Sequence, residues 1–152
     1  MAGGISGLRF LHPAAVLMLL TFTAWEDGRS HTIPDRYPAM LLLAGLAAPL
    51  PALIQRLFAG GIIFLLLLLL AVLLEIVAGK PSIGGGDIKL YSALGTALPL
   101  RDFLFTALIA QLLAAGWLLY IGTKGQRDQV VPLGPFVLSA YLLILLMKGV
   151  LS

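Results

Sequence analysis

Residues 57–77 form an almost unbroken apolar run, with six consecutive leucines from Leu65 to Leu70. A helix needs roughly 20 apolar residues to cross the hydrocarbon core of a bilayer. In lipid every backbone amide and carbonyl must be satisfied within the chain, so such a run is constrained to be helical. Five further segments approach the same character: Phe10–Trp25, Tyr37–Ile54, Ile88–Leu100, Phe103–Ile121 and Leu133–Leu151. Pro49 and Pro51 are expected to kink the second. The fourth is short enough that it should begin inside Gly84-Gly85-Gly86. The polar connectors are Glu26–Arg36, Gln55–Arg56, Gly79–Asp87, Arg101–Asp102 and Gly122–Val131. The expected fold is all-α: a polytopic six-transmembrane-helix bundle, one membrane-embedded domain over residues 1–152. The first apolar run ends at Trp25-Glu26-Asp27 without a small-residue cleavage site, so it reads as a retained span.

Composition excludes several function classes. Hydrophobic residues make up 60% of the chain and charged residues 11%, against about 25% charged in soluble domains. The ten basic residues are scattered singly, which gives no stripe for nucleic acid. There is no cysteine, hence no disulfide, thiolate metal site or cysteine nucleophile. The two histidines, His12 and His31, do not form HExxH, so no zinc peptidase site is expected, and no cofactor or metal is implied. A serine protease would need an activated serine. Ser92 and Ser139 have no histidine in a matching span, and Lys89 reads better as an interface lysine than as a base for Ser92.

Six crossings put both termini on one side and the first, third and fifth connectors on the other. Those connectors carry Arg29, Arg36, Lys80, Lys89, Lys124 and Arg127, against Arg9, Arg56, Arg101 and Lys148 opposite. The positive-inside rule then places the odd connectors in the cytoplasm. The alternation also brings Asp27 and Asp87 to one face of the membrane.

Acids at membrane depth cost roughly 2.5–3.5 kcal/mol on insertion scales, which makes each a functional candidate. Asp87 follows Gly84-Gly85-Gly86, where the missing Cβ atoms let another backbone approach closely. The same residues also suit a flexible loop with Asp87 capping the next helix. Asp27 lies in Trp25-Glu26-Asp27-Gly28-Arg29-Ser30-His31-Thr32-Ile33-Pro34-Asp35. Glu26 and Asp35 compete with it, and a solvated loop acid is the plainer reading of each. Glu75 fits a side chain reaching for the interface. Two facing carboxylates can hydrolyse a peptide bond without metal: one takes a proton from water while the other donates to the carbonyl.

Gly84-Gly85-Gly86-Asp87, continuing Ile88-Lys89-Leu90, resembles the GxGD signature of type IV prepilin peptidases and archaeal preflagellin peptidases. Asp27 followed by Ile33-Pro34-Asp35 is similar to that family's earlier aspartate with its Ile-Pro-Asn or Leu-Pro-Asp element. Val131-Pro132-Leu133-Gly134-Pro135-Phe136 resembles its Pro-Phe-Gly-Pro-Phe motif, with Leu133 replacing Phe. The resemblance implies an aspartyl endopeptidase of a prokaryotic cytoplasmic membrane, with the bilayer and a prepilin or pseudopilin as partners. It would remove the substrate's leader at the cytoplasmic face. It further implies Asp27 and Asp87 as the catalytic pair, Gly84, Gly85 and Gly86 shaping the site, and Pro132, Gly134 and Pro135 placing substrate. Larger members carry a tetracysteine extension associated with N-methylation; without cysteine, this chain is expected to act as a peptidase only. The rival expectation is a small transporter or assembly scaffold using the acids as ion or proton ligands. Transport sites lie near the midplane, whereas these acids are expected near one face.

Overall fold

A computed structural model describes residues 4–79, 83–123 and 131–151. Lys80, Lys124 and Arg127, three of the cations in the charge count, lie outside the described residues, as does Ser82 beside the glycine motif. The described chain is all-helical: α1 (Gly4–Ser30), α2 (Arg36–Leu46), α3 (Leu50–Ala78), α4 (Gly85–Ala97), α5 (Leu100–Thr123) and α6 (Gly134–Leu151). It divides into two compact units, Ile33–Phe103 and Met1–Thr32 with Leu104–Ser152.

In the unit of residues 33–103, α4 packs against both α2 and α3. Ile88, Leu90, Tyr91 and every residue from Ala93 to Leu98 are buried. From Leu90 onward α4 is buried nearly all round, which makes it the core element of this unit. Glycine makes the approach possible. A Cβ on Gly45 of α2 would stand 2.7 Å from the carbonyl oxygen of Thr96, and one on Gly60 of α3 would strike the Thr96 hydroxyl. Small residues at such crossings are how helices pack in membranes, where hydrophobicity alone gives no driving force between them. Ser92 Oγ donates to the Gly60 carbonyl at 2.9 Å, and Arg56 Nη1 to the Ala97 carbonyl at 3.2 Å. The second bond satisfies one of the carbonyls left open where α4 ends.

In the other unit α1 packs on α6. Val16, Leu20, Thr23, Ala24 and Asp27 form a buried helical stripe on α1; Val137, Ala140, Tyr141 and Ile144 form one on α6. Pro13 lies inside α1 without ending it. Thr23 returns its hydroxyl to the Leu19 carbonyl at 2.8 Å, so its buried polar atom is satisfied.

Several boundaries differ from expectation, and the prolines explain most of them. α2 ends at Leu46 instead of kinking through Pro49. α3 then opens at Leu50, so Gln55 and Arg56 are helical instead of forming a connector. Proline costs nothing in a first turn, where its missing N–H would lack a partner anyway. Likewise α5 opens at Leu100 after Pro99 and takes in Arg101 and Asp102. α1 runs on through Glu26 to Ser30. α4 begins at Gly85, inside the glycine run as expected. α3 closes on Gly79, whose φ of 67° lies in the left-handed region that favours glycine.

Among the described residues two helices, Leu50–Val77 and Leu100–Thr123, are long and apolar enough to cross a membrane; Gly134–Gly149 is apolar but shorter. At 1.5 Å per residue, α2 extends about 16 Å and α4 about 20 Å. Both fall short of a hydrocarbon core of about 30 Å.

Candidate active site

Each candidate aspartate sits in a different unit, and each has its own surroundings. Asp27 lies in the last turn of α1 and is only 4% exposed. Its Oδ2 accepts a hydrogen bond from the backbone N–H of Gly134 at 2.7 Å, across 107 positions of sequence. Gly134 is the first residue of α6, so a helix N-terminus, with its partial positive charge, is aimed at the carboxylate. Hydrogen bonds to an ionised acceptor are the short, strong ones.

The Pro-Leu-Gly-Pro segment makes this approach possible. A Cβ on Gly134 would lie 3.1 Å from Ala24 Cα, 3.1 Å from Asp27 Cβ and 3.1 Å from Asp27 Oδ2. Pro135 follows in the first turn, where it needs no N–H, and its ring stands beside Gly28. The Leu133 carbonyl accepts from the N–H groups of Phe136 and Val137, which starts the helix. Pro132 is half-buried just ahead of it. The expected role of this motif was to place substrate; its observed contact is with Asp27. The competing acids have other settings. Glu26 is half-buried. The exposed Asp35 takes Lys89 Nζ at 2.7 Å. Asp35, at the N-cap position of α2, has helical φ and ψ and makes no side-chain cap.

Asp87 is the third residue of α4 and is half-buried. Its N–H donates to the Gly84 carbonyl at 3.0 Å. Its carboxylate folds back toward the helix start, as helical side chains do. Oδ2 comes within 3.1 Å of where a Gly84 Cβ would stand. The three glycines therefore serve distinct purposes. Gly84 leaves room for the carboxylate. Gly86 lets the first turn of α4 lie on Ile33, since a Cβ there would be 3.1 Å from Ile33 Cβ. Gly85 is exposed, and no atom of the described residues lies within 4 Å of a Cβ there. The Lys89–Asp35 pair fastens the same turn to the Ile-Pro-Asp element.

The position of Asp87 along α3 follows from packing. Arg56 meets Ala97, Gly60 meets Ser92 and Thr96, and Ile63 meets Gly95, so α3 and α4 run antiparallel. Counting five residues back from Ser92 leaves Asp87 about 15–20 Å short of the C-terminal end of α3. Beyond that level Leu69, Leu70, Val72, Leu73, Ile76 and Val77 are exposed apolar side chains. Asp87 therefore lies level with the middle stretch of α3.

Sequence reasoning named Gly134 but missed its partner. A glycine between two prolines at a helix start marks a bare first amide, but nothing local says what it meets. No curated protein and no solved structure matches the chain. The model of the type IV leader peptidase family matches residues 14–119. That stretch contains Asp27, the Ile-Pro-Asp element and the glycine motif with Asp87, and it is most of the chain. The chain belongs to the type IV leader peptidase family.

Proposed function

We propose that this peptidase is a membrane-embedded aspartyl endopeptidase that removes the leader of type IV prepilin or pseudopilin-like substrates. Asp27 and Asp87 are its acid–base pair. The observation that supports this most is the Gly134 amide on Asp27 at 2.7 Å. It ties the third motif to the first, and Asp27 is the buried one of the three acids, where Glu26 is half-buried and Asp35 exposed. The exposed Gly85 suits an extended substrate backbone coming up to Asp87.

In the proposed reaction one carboxylate takes a proton from water, and the resulting hydroxide adds to the scissile carbonyl. The other carboxylic acid gives its proton to the carbonyl oxygen. The tetrahedral intermediate then collapses: the C–N bond breaks, the leaving nitrogen takes up the proton first removed from water, and one hydroxyl of the intermediate returns its proton to the second carboxylate as the new C=O forms. Gly134 engages Asp27 Oδ2, so proton exchange falls to the other oxygen, and the α6 N-terminus holds the group in place. Six crossings, with the odd-numbered connectors and the site toward the cytoplasm of a prokaryotic cell, remain the proposed arrangement. α2 and α4 fall short on their own, so their crossings would be completed by non-helical residues at their ends, lined by protein. The rival reading is a small transporter or assembly scaffold that uses the acids as ion or proton ligands. Family membership favours the peptidase.

The test is co-expression with a prepilin-type substrate, following the shortened product on a gel. Asp27→Asn and Asp87→Asn should each reduce cleavage by about 10²–10⁴-fold. The double variant should lose little more, because the pair acts as one unit. Glu26→Gln, Asp35→Asn and Glu75→Gln should retain most activity. Normal cleavage by well-folded forms of both Asp variants would remove the aspartyl mechanism. Loss in Glu26→Gln with retention in Asp27→Asn would reassign the first carboxylate.

A further inference from the structure

Where α4 ends, at the opposite end of that helix from Asp87, the unit of residues 33–103 has a second polar feature. A cleft of about 300 Å³ is lined by Gln55 and Arg56 of α3, with two alanines of the same helix, and by Pro99, Leu100 and Arg101 where α5 begins. Two guanidinium groups and a carboxamide share this small space, and no carboxylate lines it. Asp102, the acid in the first turn of α5, is not among the lining residues. The bond from Arg56 to the Ala97 carbonyl uses one of its five N–H donors. The first amides of α5, at Leu100 and Arg101, have no acceptor within their own helix. The cleft therefore offers convergent donors and positive charge. On the same stretch of α3 lie Leu50, Ile54 and Phe58, all well exposed. A polar anion site beside an exposed apolar helix face is amphipathic in the sense of a lipid.

We propose that this cleft binds the phosphate of an anionic glycerophospholipid, whose acyl chains lie along the exposed face of α3. Guanidinium matches phosphate by geometry as well as by charge. A zwitterionic headgroup fits less well, because its cation would find no carboxylate in the lining. Basic pockets between membrane helices take anionic headgroups for this reason. The site is separate from the aspartates and does not rest on their assignment.

The experiment uses the purified full chain with phosphatidylglycerol, phosphatidylcholine or inorganic phosphate, with retention read by native mass spectrometry and by the shift in Tm. Phosphatidylglycerol should be retained over phosphatidylcholine. Arg101→Gln should reduce that preference about fivefold, and Arg29→Gln, a cation elsewhere, should leave it unchanged. Arg56→Gln should do the same as Arg101→Gln, but it also removes the bond to Ala97, so Arg101→Gln decides if Arg56→Gln fails to fold. No preference for phosphatidylglycerol, or the same preference in Arg101→Gln, overturns the proposal. Inorganic phosphate that displaces phosphatidylglycerol and gives the same Tm shift also overturns it, because the site would then be one for free phosphate.

Discussion

Gly134→Ala tests the contact between α6 and Asp27 without touching a titratable group. The added Cβ would lie 3.1 Å from three atoms: Ala24 Cα, Asp27 Cβ and Asp27 Oδ2. Ordinary carbon contacts are about 3.5–4.0 Å, so something must move by a few tenths of an ångström. Ala24 Cα is backbone and cannot turn aside, so α1 and α6 must separate or Asp27 must rotate. Overpacking of this kind costs typically about 1–3 kcal/mol. Weakening a hydrogen bond to a charged group costs about 1.5–3 kcal/mol when the bond is lost outright. Alanine is otherwise harmless here, since helix residues accept it readily. Displacement of a reacting group by about 1 Å can cost about 10²-fold in rate, so cleavage should fall by about 10–100-fold while the protein stays folded. The assay is substrate processing normalised to protein abundance, with Gly116→Ala as control, because a Cβ at Gly116 meets nothing within 4 Å. Near-normal cleavage by Gly134→Ala would show that the close approach is dispensable. An equal loss in Gly116→Ala would show that glycine matters here for some general reason.

Gly45→Ala should destabilise the packing of α2 on α4, because its Cβ would meet Thr96 O at 2.7 Å and Thr96 C at 2.8 Å, both backbone; a Tm unchanged from that of Gly61→Ala, where a Cβ meets nothing, would refute this. Lys89→Met should change stability by less than about 1 kcal/mol, since the pair with Asp35 is exposed, 49% on Lys89 and 75% on Asp35; a larger loss in denaturant melts would mean the fastening of α4 matters more than its exposure allows. Cysteine placed at Ser30 or Gly125 (the latter outside the described residues) should react with an impermeant reagent only from the cytoplasmic side, free of background because the chain has no native cysteine. With purified enzyme and S-adenosylmethionine, the cleaved product should show no gain of a methyl group by mass spectrometry.

Hydropathy and local chemistry carried much of this protein. The leucine run and the low charge were enough for an all-helical membrane protein, because apolar length and backbone satisfaction are local properties. The glycine motif and its aspartate were legible for the same reason, as was the start of α4 within the glycines. Helix ends were harder. Polar pairs such as Gln55–Arg56 and Arg101–Asp102 look like connectors in a hydropathy reading. The prolines nearby are what set the starts of α3 and α5. What the sequence could not contain was the meaning of each glycine. Gly84, Gly85 and Gly86 are identical residues, yet one clears a carboxylate, one is exposed and one admits Ile33. Nor could local pattern pair the Gly134 amide with Asp27 or say which of Glu26 and Asp27 is the more buried. Which of two adjacent acids is buried depends on which face of α1 meets α6. That choice is made by packing between segments more than a hundred residues apart. Only the tertiary structure decides it, because the energy of a close approach belongs to both surfaces and is encoded in neither alone.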